Sequence, residues 1–192
     1  MREREFDRNE ALNKAMNLFW QKGYFDTSVQ DLVEHTGVAR SGLYGEFGDK
    51  KELFLTALDQ YHNTVAHDAL GSLTRPGASI KELKSFFAGL VRSASSNTPH
   101  PGCLICNTAV EFGRTDTDVN DKVKQHFNGL RKYFRRAAEN AIQQGKLDRK
   151  FDAPAYGDFL MGVMQGTCVL ARSPVDRAVI GRYVRTALSQ LD

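Results

Sequence analysis

Apolar residues recur every three to four positions along almost the whole chain, and no stretch alternates apolar with polar over the length of a strand. Such a period buries one stripe of a helix, so the expected fold class is all-α, helices packed on helices. The punctuation agrees. "DRNE" at 7–10 reads as a capping box, with Asp7 accepting from first-turn amides and Glu10 reaching back. The stripe Leu12, Ala15, Met16, Phe19 and Trp20 follows, and Gly23 fits a left-handed C-cap. "TSVQ" at 27–30 repeats the capping logic with Thr27 as the cap and Gln30 as its box partner, and Gly37 breaks that short helix. Asp49 and Glu52 open a long helix expected to end near Gly71. Five further helices are expected over about 79–95, 103–112, 118–144, 153–171 and 174–190, the last begun by Ser173 as cap and Pro174 in the first helical position.

Composition narrows the function classes. The chain has 192 residues, enough for a small domain plus a larger one, and no apolar run approaches the roughly 18 residues of a membrane helix. "MREREF" lacks the apolar core of a signal peptide, so a cytoplasmic location is expected. An odd number of cysteines, Cys103, Cys106 and Cys168, argues against a secreted disulfide framework. Net charge is +3, yet the first 51 residues hold eight basic against nine acidic side chains. Bulk charge therefore marks no nucleic-acid surface at this end, and such a reading must rest on geometry.

"TGVARSGLYGEF" at 36–47 supplies that geometry. A short helix, a four-residue turn containing Gly37 and a second short helix make a helix-turn-helix unit. Val38, Leu43 and Phe47 clamp the second helix inward, leaving Arg40, Ser41, Gly42 and Tyr44 outside. Small groups that permit close approach, beside groups that bond bases or phosphates, suit a major groove.

The segment "FDRNEALNKAMNLFWQKGYFDTSVQDLVEHTGVARSGLYGEFGDKKELF" resembles the N-terminal region of the TetR family of bacterial transcriptional regulators. The resemblance implies a homodimer that binds a palindromic operator in double-stranded DNA, usually as a repressor. It divides the chain into a helix-turn-helix domain, 1–48, and an effector-binding and dimerisation domain, 49–192. Thr27, Tyr44 and Lys50 match positions that touch phosphates, and Arg40, Ser41 and Gly42 match those facing base edges. Ala39 stands where a capping hydroxyl is common, and the charge of Glu46 would repel a close phosphate. Arg2 and Arg4 could reach a flanking minor groove, though Glu3 and Glu5 are interleaved with them.

"TPHPGCLICNTAVE" at 98–111 carries the rest of the chemistry. Cys103 falls in the first turn of a helix, where unpaired N–H groups and the dipole favour a thiolate, and Cys106 lies one turn along. Both read equally as small core residues. Alternatives are a dithiol pair, or half of a metal site completed by His100, His126 or Cys168, with copper(I) suiting two soft thiolates and the metal otherwise unknown. The Gly102–Cys103 opening resembles a TetR subgroup that includes oxidant and electrophile sensors and a copper-responsive repressor, which implies Cys103 as the reactive thiol. A dithiol oxidoreductase is the rival class. No enzyme activity and no cofactor are expected, and the effector is unknown.

Candidate pocket walls are Phe86, Phe87, Leu90, Asn107, Phe112, Phe127, Leu130, Phe134, Phe159, Met161 and Gln165, each also a plain core residue. In "RKYFRR" at 131–136, Phe134 turns inward while Arg131, Lys132, Arg135 and Arg136 form a solvated basic face. Apolar residues on more than one face of the last two helices predict a four-helix dimer interface through Phe159, Val163, Gly166, Val179, Tyr183 and Val184. Gly162 and Gly166 form its small-residue strip.

Overall fold

The computed structural model describes residues 6–94 and 101–191; Arg2, Arg4 and His100 lie outside them. Among the described residues every regular element is helical. In chain order they are α1 (Arg8–Lys22), α2 (Val29–Thr36), α3 (Arg40–Phe47), α4 (Lys50–Tyr61), α5 (His67–Leu70), α6 (Ile80–Ala94), α7 (Leu104–Phe112), α8 (Thr117–Gln143), α9 (Ala153–Arg172) and α10 (Arg177–Leu188). A π-helical turn, His62–Ala66, joins α4 to α5, and a 3₁₀ turn, Gly71–Thr74, follows. No described helix is long and apolar enough to cross a membrane.

The chain forms two compact units. The first takes the residues through Ala66 together with Cys103–Val123; the second takes His67–Gly102 and everything from Lys124 onward. The geometric division thus falls beyond the expected 48/49 boundary, and it places α7 with the helix-turn-helix.

In the first unit, α1 is capped by Asp7, whose carboxylate accepts from the Glu10 N–H at 2.9 Å. The Glu10 side chain pairs instead with Lys14, 2.8 Å away. Leu12, Ala15, Met16 and Phe19 pack on Leu53, Phe54, Ala57 and Leu58 of α4, all buried. Phe19 meets Phe54 edge-on at 5.0 Å, and Trp20 meets Tyr61 in the same way at 5.0 Å. Such ring pairs add about 0.5–1.5 kcal/mol beyond the area they bury.

The second unit is built from α6, α9 and α10 with most of α8. Phe86, Phe87 and Phe134 form its aromatic centre, with centroids 5.2 to 5.7 Å apart. The Tyr156 hydroxyl donates to the Ala187 carbonyl at 3.1 Å, tying α9 to the end of α10. Two expectations need correction here. Arg136 is not on a solvated face: its guanidinium donates to the carbonyls of Leu73, Thr74 and Arg75, satisfying the end of the 3₁₀ turn. The last helix starts at Arg177 with Asp176 as its cap, because that carboxylate accepts from Ala178 N–H at 2.8 Å, and Pro174 precedes it in a turn.

Candidate nucleic-acid interface

The turn into α2 is built from reciprocal hydrogen bonds. Ser28 Oγ accepts from Asp31 N–H at 3.0 Å, and Asp31 Oδ2 accepts from Ser28 N–H at 2.7 Å. The cap is therefore Ser28 with Asp31, one residue beyond the expected Thr27 and Gln30. Thr27 is fully buried, and its hydroxyl donates to the Gly23 carbonyl. Its side chain braces the α1–α2 turn and offers nothing to a phosphate.

Lys22, 2.8 Å from Asp31, and the Ser28 hydroxyl and N–H hold the Asp31 carboxyl well below the usual carboxylate range. A depressed folded value contributes stability that is complete above the unfolded value, about 3.9, and is lost as pH falls through the folded one. Melting followed by circular dichroism should show Asp31→Asn less stable than wild type at neutral pH. That gap should close progressively below about pH 4. Ser28→Ala should cost about 1 kcal/mol at neutral pH.

Gly37 ends α2 in the left-handed region, φ +75°, with its N–H on the Val33 carbonyl. Thr36 Oγ1 donates to Leu32 O at 2.7 Å and accepts from Val38 N–H at 3.2 Å, so one buried hydroxyl satisfies both sides of the corner. α3 then starts at Ala39 without any side-chain cap, as the lack of a hydroxyl there implied. Leu43 and Phe47 hold it from beneath. Arg8 donates to Glu46 at 2.7 Å and stacks on Phe47, so the acidic charge near α3 is matched within the fold.

Arg40 and Ser41, two of the residues expected to face bases, stand exposed on the outer face of α3. Gly42, the third of them, is half-buried. A Cβ there would lie 3.1 Å from Val38 Cγ1 and 3.3 Å from the Phe6 ring, so a side chain at 42 fits only if those two give way by a few tenths of an ångström. The open small position is Gly45, one turn past Ser41, where an added Cβ meets nothing within 4 Å. Sequence reasoning missed it because both glycines look alike without Phe6 in place. Tyr44 also differs: its ring lies 5.6 Å under the Arg40 guanidinium, while its hydroxyl is buried without a described partner. Burial pushes that phenol up from its ordinary value.

Lys50 opens α4 just after the Asp49 cap, its Nζ 4.2 Å over the face of Tyr24. Burial pushes its ammonium down, opposed by the carboxylates of Glu111 and Asp31. Lys51 bridges Asp116 at 2.8 Å and Asp118 at 2.7 Å, which ties α4 to the start of α8 and raises the Lys51 value.

The other expected sites divide between the units. Cys103 is the N-cap of α7 and Cys106 lies in its first turn, both buried thiols in the first unit. His126 and Cys168 belong to the second, where Cys168 Sγ lies 3.6 Å from Met164 Sδ. Among the described residues no group of three or more His, Cys, Asp or Glu side chains could hold a metal. Of the expected pocket walls, Phe112 sits instead against Tyr24 and Phe25 in the first unit, with Asn107 in the same helix. Phe86, Phe87, Phe127, Phe134 and Gln165 are in the second. A cleft of about 270 Å³ there is lined by Asn128, Arg131, Lys132, Arg135, Pro154 and Asp158, with Arg131 paired to Asp158 and Arg135 to Glu139.

On α9 and α10, Val163 and Val184 are buried in the chain's own core. Gly166 gives room to the Tyr183 phenol, whose oxygen would lie 2.8 Å from an added Cβ. Of the expected interface residues Phe159 and Tyr183 are exposed, at 45% and 37%, and Val179 is half-buried; Val169, at 57%, joins them, with Gly162 open between Phe159 and Val169.

Comparison with known proteins accounts for this layout. A family model described as bacterial regulatory proteins of the tetR family matches residues 11–57, and one described as a tetracyclin repressor-like C-terminal domain matches 79–187. The HTH-type transcriptional repressor ComR of Escherichia coli (strain K12) is 31% identical over 89% of this chain and 82% of its own length. The HTH-type transcriptional repressor BdcR of the same organism is 26% identical over 98% of this chain and 94% of its own. A cysteine-substituted form of the TetR family transcriptional regulator CifR, complexed with 26-bp double-strand operator DNA, superposes with a TM-score of 0.85, 27% identity and 98% coverage of both chains. The chain therefore belongs to the TetR family of bacterial regulatory proteins, and is a DNA-binding transcriptional regulator.

Proposed function

We propose that two copies of the chain pair through the exposed apolar stripe of α9 and α10 and repress transcription by placing both α3 helices on a palindromic operator. The observation that carries this reading is the outer face of α3, where Arg40, Ser41 and the open Gly45 adjoin one another. Arg40 forks onto guanine O6 and N7, Ser41 bonds a base or phosphate, and Gly45 lets the helix backbone come close. Lys50, beside a helix N-terminus, meets a phosphate. The Tyr44 hydroxyl must rotate out of its buried position to do so, which relieves an unsatisfied group costing about 1–3 kcal/mol. Gly45→Phe should abolish operator binding in gel shift. Gly45→Ala should stabilise α3 by about 0.5–1 kcal/mol.

The release signal acts at α7 in this reading. Cys103 is the N-cap of α7, where the helix dipole favours a thiolate and its burial opposes one. Attack on a peroxide oxygen gives the sulfenic acid and one water, hydroxide or alcohol from the other oxygen; condensation with Cys106 gives a disulfide and a second water. Support comes from the Gly102–Cys103 opening, which resembles that of thiol-sensing members of the family. A copper(I) site on the same thiols, or an organic ligand in the second unit with inert cysteines, would release DNA by other routes.

The test is fluorescence anisotropy on DNA from upstream of the protein's own gene, with reduced protein before and after mild peroxide. Binding lost on oxidation and restored by dithiothreitol supports the thiol reading, and Cys103→Ser should then bind regardless of oxidant. Release that survives in Cys103→Ser would overturn it. Catalytic thiol–disulfide turnover in the same samples would point to the oxidoreductase class instead.

A further inference from the structure

α7 has its thiols at one end and an unusual clasp at the other. Glu111, in its last turn, accepts from Phe25 N–H on Oε1 at 2.7 Å and from Tyr24 N–H on Oε2 at 3.1 Å. Both amides lie in the turn between α1 and α2, eighty-six and eighty-seven residues away in sequence. Gly23 is shaped around the same carboxylate: its φ is +92°, and an added Cβ would stand 3.0 to 3.2 Å from three Glu111 atoms. Phe112 completes the grip, its ring 5.1 Å from Tyr24, 5.0 Å from Phe25 and 5.7 Å from Phe54.

A carboxylate bound by two backbone N–H groups is a charge-assisted, two-point contact that fixes direction as well as distance. The turn it fixes leads, through the Ser28 cap, straight into α2 and so to α3. A nine-residue helix is stiff along its axis, so movement at Cys103 reappears at Glu111 about 12 Å away. Hydrogen bonds of this kind fail beyond about 3.5 Å, so a shift of less than about 1 Å is enough to open the clasp.

We propose that Glu111 is the positioning residue that couples α7 to the helix-turn-helix. Its carboxylate holds the Tyr24–Phe25 turn in the orientation operator binding uses, and displacement of the Cys103 end reaches α2 and α3 through it without passing along α4. The proposal rests on the DNA-binding reading above but not on which signal moves α7.

A double-mutant cycle on operator affinity tests it, using the full-length protein. Cys103→Phe serves as a wedge at the start of α7, with Cys103→Leu as a smaller wedge should the first lose its helical circular dichroism. In the wild-type background the wedge should raise the operator Kd about tenfold, within the 5–150-fold range typical of such coupling. In a Glu111→Ala background the same wedge should change Kd by less than about threefold, because only the Phe112 ring contacts still join α7 to the turn. Glu111→Gln, which keeps one acceptor oxygen, should recover part of the wedge effect. A merely structural Glu111 predicts that the two effects multiply, and that result overturns the proposal. So does a wedge without effect in the wild-type background. A wild-type protein that does not bind the operator in the first titration overturns the DNA reading itself, and is seen before any variant is compared.

Discussion

Phe54→Ala is expected to lower the stability of the first unit by about 3–5 kcal/mol, the usual cost of emptying a buried phenylalanine site. Phe54 is fully buried and touches rings from three separate segments: Phe19 at 5.0 Å, Tyr24 at 4.9 Å and Phe112 at 5.7 Å. Its removal leaves a cavity bounded by α1, the α1–α2 turn and α7, elements pinned by backbone hydrogen bonds that cannot collapse inward together. Whole domains are stable by only about 5–15 kcal/mol, so this one change takes a large fraction of the total. A urea titration followed by circular dichroism should show the loss as a lowered midpoint, and operator binding should fail at temperatures wild type tolerates. Phe54→Leu, which refills most of the volume, should cost less than half as much. A loss below about 1 kcal/mol for alanine would mean that the four rings do not pack as a unit.

Arg40→Ala is expected to weaken operator binding by about 5- to 150-fold, corresponding to about 1–3 kcal/mol for a bidentate contact with guanine. The loss should concentrate on one base pair. Operators altered at that pair should bind the variant and wild type about equally, whereas other operators should still be discriminated. Arg40 is exposed and its described contact is the ring of Tyr44, so folding stability should stay within about 0.5 kcal/mol of wild type. Lys50→Ala makes the contrast. A phosphate contact weakens all sequences alike and lowers the salt slope by about one. If Arg40→Ala behaves in that second way, Arg40 touches backbone and the base reading passes to Ser41.

The sequence alone located the longer helices, the caps at Asp7 and Asp49, the Gly37 corner and the inward positions Leu43 and Phe47, though the helix expected to run to Gly71 ends at Tyr61 in a π-helical turn and the last one starts at Arg177. These are local matters. A helical stripe repeats within four residues, a cap acts within three, and a corner glycine answers to its own φ. The cap at Ser28 rather than Thr27 was a near miss of the same kind, since either hydroxyl precedes the helix. Only burial of Thr27 against Gly23 separates them.

The tertiary structure decided what depends on residues far off in the chain. Gly42 is packed and Gly45 open because Val38 and, from far earlier in the chain, Phe6 lie over one and not the other. Phe112 and Glu111 meet Tyr24 and Phe25 of the α1–α2 turn because Cys103–Val123 folds with the first unit. Arg136 caps a turn sixty-odd residues earlier in sequence, and Val163 and Val184 close the chain's own core while Phe159, Val169 and Tyr183 stay outside. In each case the residue type suits two environments equally well. Helical periodicity states which face a side chain takes, but what covers that face is set by whichever distant element packs there.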